Sequence, residues 1–191
     1  MTMLPDPFVL FIRHGERNAL PPDDPYADVD LTPSGYEALA EFTYSYRGQV
    51  AWTAASPFLR CRATARAFGP EPEDDTRLGH HGPWVFDPVL AAREFKSRGT
   101  GGVVAEQMAG VTLPGMRSPE AAVRILLSAG FERIERGSGV CVSHDAVLMP
   151  AIAWLFGIDS LDGWLAPLDG FVMRIGRSGP VLLWKGKERL W

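Results

Sequence analysis

Continuous apolar runs along the chain predict buried strands, each followed by a helix. Residues 8–12 form one such run, rich in β-branched and aromatic side chains, and residues 50–55 and 140–143 form two more. Short runs without polar alternation are typical of strands that are covered on both faces of a sheet. The pattern therefore indicates an α/β fold built on a largely buried sheet.

Helix starts are marked by a capping residue followed by proline at three places: Thr32-Pro33, Ser56-Pro57 and Ser118-Pro119. A Ser or Thr side chain can accept a hydrogen bond from the free N–H groups of the first turn, and proline at the first position loses no hydrogen bond. A further apolar segment after residue 145 has the length of a buried helix. The predicted helices begin at residues 33, 58, 119 and 146 and end, where a stop signal is present, near residues 48, 68 and 156.

The remaining segments predict one irregular stretch and a C-terminal hairpin. Residues 69–114 contain Pro- and acid-rich sequence and a candidate strand at Trp84–Phe86, and we interpret them as an irregular insertion over the active site within a single domain, 1–191. Residues 171–175 and 181–184 are mostly apolar segments on either side of a turn that contains Gly and Pro, which predicts a hairpin that completes the sheet.

Composition and charge exclude several classes of protein. The chain has 191 residues, 46% of them hydrophobic and 22% charged, with a net charge of −4. We therefore expect no nucleic-acid partner and no membrane partner. Residues 1–6 lack the basic region of a signal peptide, and the longest apolar stretch, 146–158, is too short for a membrane span. Two cysteines, Cys61 and Cys141, do not form a disulfide framework; we expect a cytoplasmic protein in which both are small buried residues.

Polar side chains follow the three predicted strands where each one ends. Residues 13–17, Arg-His-Gly-Glu-Arg, come after the first strand, Ser56 and Arg60 after the second, and His144 and Asp145 after the third. In open α/β sheets, ligands bind beyond the carboxyl ends of the strands. Guanidinium groups bind oxyanions through paired hydrogen bonds, and an imidazole can act as a nucleophile. The sequence therefore predicts an oxyanion site with a nucleophile in it.

Four motifs in this order resemble the histidine phosphatase superfamily, the group of the phosphoglycerate mutases and the histidine acid phosphatases. They are residues 13–15 (Arg-His-Gly), 31–35 (Leu-Thr-Pro-Ser-Gly), 56–65 (Ser-Pro-Phe-Leu-Arg-Cys-Arg-Ala-Thr-Ala) and 142–145 (Val-Ser-His-Asp). The resemblance implies a three-layer α/β/α sandwich with a central mixed, mostly parallel sheet, phosphoglycerate mutase-like, that needs no metal and no other cofactor.

The resemblance also implies roles for individual residues. His14 matches the nucleophile that accepts the phosphoryl group. Arg13, Arg17 and Arg60 match the arginines that bind phosphate, and His144 matches the second histidine of the pocket. Phosphoryl transfer requires mainly positioning and stabilisation of charge on the equatorial oxygens, which guanidinium groups can supply.

The leaving oxygen requires a proton, and two carboxyl groups are candidates for the donor. Asp145 follows His144 directly, and this pair resembles the acid phosphatase branch. Glu94 resembles the acid of the mutase branch, but the expected Gly-x-x-Glu-Gly continuation is absent and residues 96–99 read Lys-Ser-Arg-Gly. We favour Asp145 and keep Glu94 as the alternative.

Three functions are compatible with these motifs. The first is a metal-independent phosphatase that acts on a small-molecule phosphomonoester, or on a phosphoprotein, through a phosphohistidine intermediate. The second is a phosphomutase of the same fold, and the third is a non-catalytic phosphate-binding regulatory protein.

A homodimer is an option, since hairpin edges in such folds often pair. Simpler roles are expected for Ser56, as a helix N-cap, and for His80 and His81, as exposed loop residues rather than metal ligands.

Overall fold

The computed structural model describes residues 7–24, 27–158, 164–176 and 179–191. In these ranges seven strands form a single sheet. The strands are β1 (Phe8–Arg13), β2 (Trp52–Ala55), β3 (Glu73–Asp74), β4 (Gly139–Ser143), β5 (Gly170–Gly176), β6 (Gly179–Trp184) and β7 (Lys187–Leu190). Their order across the sheet is β3-β2-β4-β1-β5-β6-β7.

The sheet is mixed, with most strands running in one direction. β1 pairs in parallel with β4, and β2 pairs in parallel with both β4 and β3. β5 is antiparallel to β1, β6 to β5, and β7 to β6. β6 therefore runs in the same direction as β1 to β4, and only β5 and β7 are reversed. This confirms the predicted mixed, mostly parallel sheet.

Helices cover both faces of the sheet. They are α1 (Pro33–Tyr44), α2 (Leu59–Arg66), α3 (Pro88–Met108), α4 (Pro119–Phe131) and α5 (Asp145–Phe156). Along β1, Phe8, Leu10 and Ile12 pack with residues of α2, whereas Val9 and Phe11 pack with residues of α4 and α5. Because successive side chains of a strand point to opposite faces, this one strand contributes to both cores. The α/β/α sandwich is confirmed.

The register of the parallel strands brings the predicted site together. Arg13 at the end of β1 lies opposite Ser143 at the end of β4, and Ala55 at the end of β2 lies opposite Val142. The backbone N–H of His14 then donates to the carbonyl oxygen of Ser143 at 3.0 Å. The polar residues that follow β1, β2 and β4 therefore leave the sheet at one edge.

Two of the three predicted caps are confirmed and one is wrong. Thr32 Oγ1 accepts from the N–H of Gly35, and Ser118 Oγ accepts from the N–H of Ala121. Ser56 does not cap α2, because the helix begins only at Leu59. The N–H of Leu59 instead donates at 2.7 Å to Asp28 Oδ1, a carboxylate in the loop between β1 and α1. The hydroxyl of Ser56 is therefore available for another contact.

Segment 69–114 is more regular than the sequence pattern predicts. It contains α3, whose two helical parts meet at a kink at Gly99, where φ is 69°. The candidate strand at Trp84–Phe86 is wrong, since only an isolated bridge joins Val85 to Met116. Val103 and Val104 of α3 are buried, which explains why a stretch rich in glycine is helical. That this segment is an insertion over the active site stays a prediction.

The C-terminal hairpin is formed by β5 and β6 as predicted, and β7 is a strand that the sequence pattern did not indicate. Residues 177 and 178, which the sequence pattern predicts to form the hairpin turn, lie outside the described part of the chain, as do residues 1–6. Cys61 and Cys141 are buried free thiols. No helix in the described ranges is both long and apolar enough to cross a bilayer.

Gly170 at the start of β5 has no room for a side chain. A Cβ there would lie 1.9 Å from the carbonyl oxygen of Phe11 on β1, so we expect Gly170→Ala to force the two strands apart and to lower the free energy of unfolding by about 2 kcal/mol or more. Gly101 in α3 is the matched control: its Cβ would meet nothing within 4 Å, and alanine there should raise stability by roughly 0.5–1 kcal/mol. Urea unfolding of both variants tests the pair, and equal effects would contradict the expectation.

Candidate active site

His14 is buried at the end of β1 with one ring nitrogen already bonded. Its side chain is 2% exposed, and its Nδ1 lies 2.7 Å from the carbonyl oxygen of Gly15. Since a carbonyl oxygen only accepts, Nδ1 carries the proton and donates. The other nitrogen, Nε2, therefore has a free lone pair in the neutral ring. The N–H of Gly15 donates to Thr64 Oγ1 at 2.9 Å, which fixes this turn to α2.

The surroundings keep the ring of His14 neutral. Burial lowers the pKa of His14 to about 3; the hydrogen bond to Gly15 acts in the opposite direction, and the positive charges of Arg60 and Arg13 lower the pKa further. A neutral imidazole is the form that can attack an electrophile. The environment thus favours a nucleophile at any pH well above the lowered pKa.

Arg60 on α2 is a buried cation with unpartnered donors. Its side chain is 2% exposed, its guanidinium carbon lies 4.6 Å from the ring centroid of Phe58, and its Nη2 lies 2.7 Å from His80 Nε2. Its Nε and Nη1 are buried and bond to nothing in the described part of the chain. Buried donors without acceptors are destabilising. An anion would satisfy them.

Arg13 and Arg17 add positive charge to the same place. Arg13 Nη2 forms an ion pair with Asp145 Oδ2 at 2.9 Å, and its Nη1 donates to the carbonyl oxygen of Leu165. Its Nε is buried and bonds to no described residue. Burial lowers the pKa of Arg13 and of Arg60, and the nearby charge of Arg17 lowers both further. The charge of Arg17, whose Nη1 donates to the carbonyl oxygen of Asn18 at 2.9 Å, therefore acts on both of these groups.

His144 links the end of β4 to this cluster. The residue is completely buried, and its ring centroid lies 5.5 Å from that of His14 with the rings edge to face. Its Nε2 lies 2.9 Å from Ser56 Oγ, which is the contact that replaces the expected helix cap. Its Nδ1 is buried and unpartnered among the described residues. Burial lowers the pKa of His144 well below the ordinary value, and the neighbouring His80 and His14 lower it further.

The structure brings Asp145 into the cluster but not Glu94. Asp145 Oδ1 accepts from the N–H of Ala146, and Oδ2 accepts from Trp164 Nε1 at 2.6 Å as well as from Arg13. Glu94 lies on α3, where its carboxylate pairs with Arg98 Nε at 2.8 Å. In the described part of the chain, none of the contacts of Glu94 reaches His14 or the phosphate-binding candidates. That either carboxyl donates a proton stays a prediction.

His80 is a site residue that the sequence pattern did not reveal. The expectation of an exposed side chain is correct for His81 and wrong for His80, whose ring stacks on that of His144 with centroids 3.9 Å apart. Burial lowers the pKa of His80 to about 4, and the charge of Arg60 lowers it further. The loop is drawn to this place because Ser143 Oγ donates to the carbonyl oxygen of Leu78 at 2.8 Å. The sequence around either residue does not predict such a contact, because the two residues are far apart in the chain.

The loop that carries this histidine is anchored by ion pairs as well as by backbone contacts. Asp75 is 6% exposed and pairs with both Arg77 and Arg133, while Arg77 also binds Glu132 just after α4. Asp75 and Arg77 belong to the short turn around residues 76–78, which leads directly to the histidine. Removing one partner of a buried pair is strongly destabilising, because the other charge is left uncompensated. The connection therefore fixes the position of the ring within the cluster.

Metal ligands are not clustered here. Within the ranges that the structure describes, no group of three or more His, Cys, Asp or Glu side chains is arranged to hold a metal ion.

Comparison with known proteins identifies one family. The family described as histidine phosphatase superfamily (branch 1) matches residues 9–173. No curated protein sequence matches the chain. Among solved structures, Bacillus stearothermophilus YhfR superposes with a TM-score of 0.63 at 15% identity, over 94% of this chain and 96% of its own.

Two further structures carry names of phosphatases. The mycobacterial glucosyl-3-phosphoglycerate phosphatase superposes with a TM-score of 0.60 at 16% identity, over 97% of this chain and 98% of its own. A mutant phosphoserine phosphatase from Entamoeba histolytica, solved in complex with phosphoserine, superposes with a TM-score of 0.55 at 17% identity, over 92% of this chain and 94% of its own. At these identities the likeness establishes the phosphoglycerate mutase-like fold.

The lowered pKa values of the site imidazoles predict loss of stability in mild acid. His14 and His80 have pKa values of about 3 and about 4 in the folded protein, below the ordinary 6.5, so below about pH 6.5 the unfolded chain binds more protons than the folded one. The free energy of unfolding then has its full value above about pH 6.5 and falls as the pH drops towards 4. Each such group contributes up to ~1.4 kcal/mol per pH unit to the slope of the free energy of unfolding against pH.

Urea unfolding between about pH 7 and 4.5 measures this slope, in a window where most carboxyl groups are still ionised. His14→Asn should reduce the slope by about one proton, because its amide can still donate to Gly15 without titrating. His81→Gln, at the exposed neighbour of His80, is the control and should leave the slope unchanged. A wild-type protein whose stability is constant over this range would contradict the expectation.

Proposed function

The chain belongs to the histidine phosphatase superfamily, and we propose that it is a metal-independent phosphatase that hydrolyses phosphomonoesters through a phosphohistidine on His14. The observation that carries the proposal is the group of buried, unpartnered polar atoms around the free Nε2 of His14. These are Arg13 Nε, Arg60 Nε and Nη1, and His144 Nδ1. Two guanidinium groups with free N–H donors beside a neutral imidazole provide the positive charge and the hydrogen bonds that a phosphoryl group requires.

The proposed reaction has two steps on the same nitrogen. In the first, His14 Nε2 attacks phosphorus, the N–P bond forms and the ester P–O bond breaks, with its electron pair staying on the leaving oxygen. In the second, water attacks phosphorus, the N–P bond breaks and the pair returns to Nε2. Arg13 and Arg60 stabilise the charge on the equatorial oxygens in both steps, because preorganised donors in a dry site require little reorganisation. Arg17 adds long-range attraction for the anion.

Hydrolysis is favoured over the two alternatives by particular contacts. A phosphomutase of this family would be expected to use an acid at Glu94, and the Glu94 carboxylate is paired with Arg98. A regulatory protein that only binds phosphate would not require the nucleophile to be neutral, and burial lowers the pKa of His14 to about 3. Similarity in fold to glucosyl-3-phosphoglycerate phosphatase and phosphoserine phosphatase supports a small phosphomonoester as substrate, with a phosphoprotein as the alternative.

The nucleophile can be tested with a generic aryl phosphate in the presence of a metal chelator. We expect hydrolysis that the chelator does not affect, and an acid-labile phosphoenzyme that forms in the wild-type protein. His14→Ala should abolish both signals, because no other ring nitrogen can take its place in line with the leaving group. Binding of phosphate or vanadate without turnover by the wild-type protein would favour the regulatory alternative, and a chelator-sensitive activity would contradict the proposal.

The buried guanidinium can be tested against an exposed one on the same helix. We expect Arg60→Gln to lower kcat/KM by ~10²–10³, because it removes a charge that stabilises the transferring phosphoryl group. Arg66, at the end of α2, pairs with Glu71 on the surface, and Arg66→Gln should leave kcat/KM within a factor of about two of the wild-type value. Steady-state kinetics of both variants, with thermal unfolding to confirm the fold, measure the difference. Equal losses at the two positions would contradict the assignment of Arg60.

A further inference from the structure

His80 contacts two of the residues that are proposed to hold the phosphoryl group. Its Nε2 accepts a hydrogen bond from Arg60 Nη2 at 2.7 Å, and its ring stacks on His144 with an angle of 23° between the planes. Phe58 packs edge to face with the same ring, with centroids 4.8 Å apart. Because a guanidinium group only donates, Nε2 of His80 has no proton in this arrangement and Nδ1 has one. The nitrogen next to the phosphate-binding arginine is therefore able to take up a proton.

The leaving oxygen needs a proton, and the other titratable groups in contact with the cluster are poorly suited to give it. Within the described residues, these include Asp145, Cys61 and Asp28, whose Oδ1 already accepts from the N–H of Leu59. Both oxygens of the Asp145 carboxylate already accept from donors of the protein, Arg13, Ala146 and Trp164, so neither is free to face a leaving oxygen. Cys61 is completely buried, and burial raises the pKa of its thiol to about 12.

We propose that His80 is the general acid and base of the reaction, an inference that rests on the proposed function. When the ester enters, its oxygens accept the hydrogen bonds of Arg60, and Nε2 of His80 takes up a proton from solvent. As the P–O bond breaks, this proton moves to the leaving oxygen. The water that attacks the phosphohistidine then gives a proton to Nε2. When phosphate leaves, His80 releases this proton to solvent, and both imidazoles regain their starting forms.

The charges around His80 make this proton uptake dependent on the substrate. Without an anion, burial lowers the pKa of His80 to about 4; Arg60 on α2, the adjacent His81 and Arg17 lower it further, and Asp145 raises it. His144, which faces the ring directly, is itself held neutral by burial, which lowers its pKa. A phosphate dianion between Arg60 and His80 favours the charged imidazole and raises its pKa. General acids are most effective when their pKa lies near the working pH.

The test compares two leaving groups. kcat/KM, which reports phosphorylation of the enzyme, is measured for an aryl phosphate, whose phenolate leaves without help, and for a simple alkyl phosphate, whose alkoxide must be protonated. His80→Gln keeps an acceptor for Arg60 but carries no titratable proton. We expect this substitution to lower kcat/KM by ~10²–10⁴ for the alkyl ester and by less than about tenfold for the aryl ester. The fall of kcat/KM for the alkyl ester at alkaline pH should also disappear.

Matched variants separate this role from positioning and from the carboxyl groups. His81→Gln should behave as the wild-type protein, and Asp145→Asn should slow both esters equally, because it acts through Arg13. Equal losses on both esters in His80→Gln would show that His80 only positions Arg60 and would overturn the proposal. A loss confined to the alkyl ester in Asp145→Asn or Glu94→Gln instead would assign the proton to that carboxyl.

The proposed function fails in a different way from this inference. A wild-type protein that forms no phosphohistidine would overturn both. A wild-type protein that forms the phosphohistidine, combined with an unchanged His80→Gln variant, would overturn the role of His80 alone. Thermal unfolding and vanadate binding of His80→Gln confirm that the pocket is intact, and His80→Phe, which keeps the ring contacts with His144 and Phe58, serves as the second variant.

Discussion

The burial of a guanidinium group without a carboxylate partner is the constraint on which this site depends. Arg60 is 2% exposed, and its hydrogen bond to His80 is the one that the described residues supply to it. Transfer of a charge from water into a protein interior is strongly unfavourable unless the charge is paired. The fold therefore holds a positive charge in a place where an anionic ligand can complete its hydrogen bonds. The same charge favours the neutral state of the neighbouring imidazoles.

The strand ends and the helix caps could be predicted because their signals are local. A continuous apolar run indicates a buried strand, and the residues that follow it must lie at the edge of the sheet, so the convergence of His14, Arg60 and His144 required only the order of the motifs. Thr32 and Ser118 cap their helices with side chains three residues from the N–H groups they accept. Such contacts depend on the nearest neighbours in the chain and are read from a short window of sequence.

The features that the sequence did not reveal depend on contacts between distant segments. Ser56 has the sequence of a helix cap, but its hydroxyl bonds to His144, 88 positions away. α3 contains three glycines between residues 99 and 102 that disfavour a helix, and tertiary burial of its apolar side offsets this preference. His80 lies in a polar loop whose position is set by ion pairs with residues that are distant in the sequence. Periodicity and propensity contain no information about these pairs.

In the proposed reaction, one imidazole of the site must stay neutral while another takes up a proton, and the geometry of the site treats the two differently. Entry of a dianion raises the proton affinity of every nearby imidazole, and by thermodynamic reciprocity a proton on one of them raises the affinity for the dianion by the same factor. A proton on Nε2 of His14 would, however, remove the lone pair that attacks phosphorus in the proposed reaction. His14 is 2% exposed and bonded through Nδ1 to the carbonyl of Gly15, whereas His80 is less buried and is bonded through the nitrogen that faces Arg60. In the proposed reaction, the difference in burial therefore favours a proton on His80 rather than on His14, the proposed nucleophile.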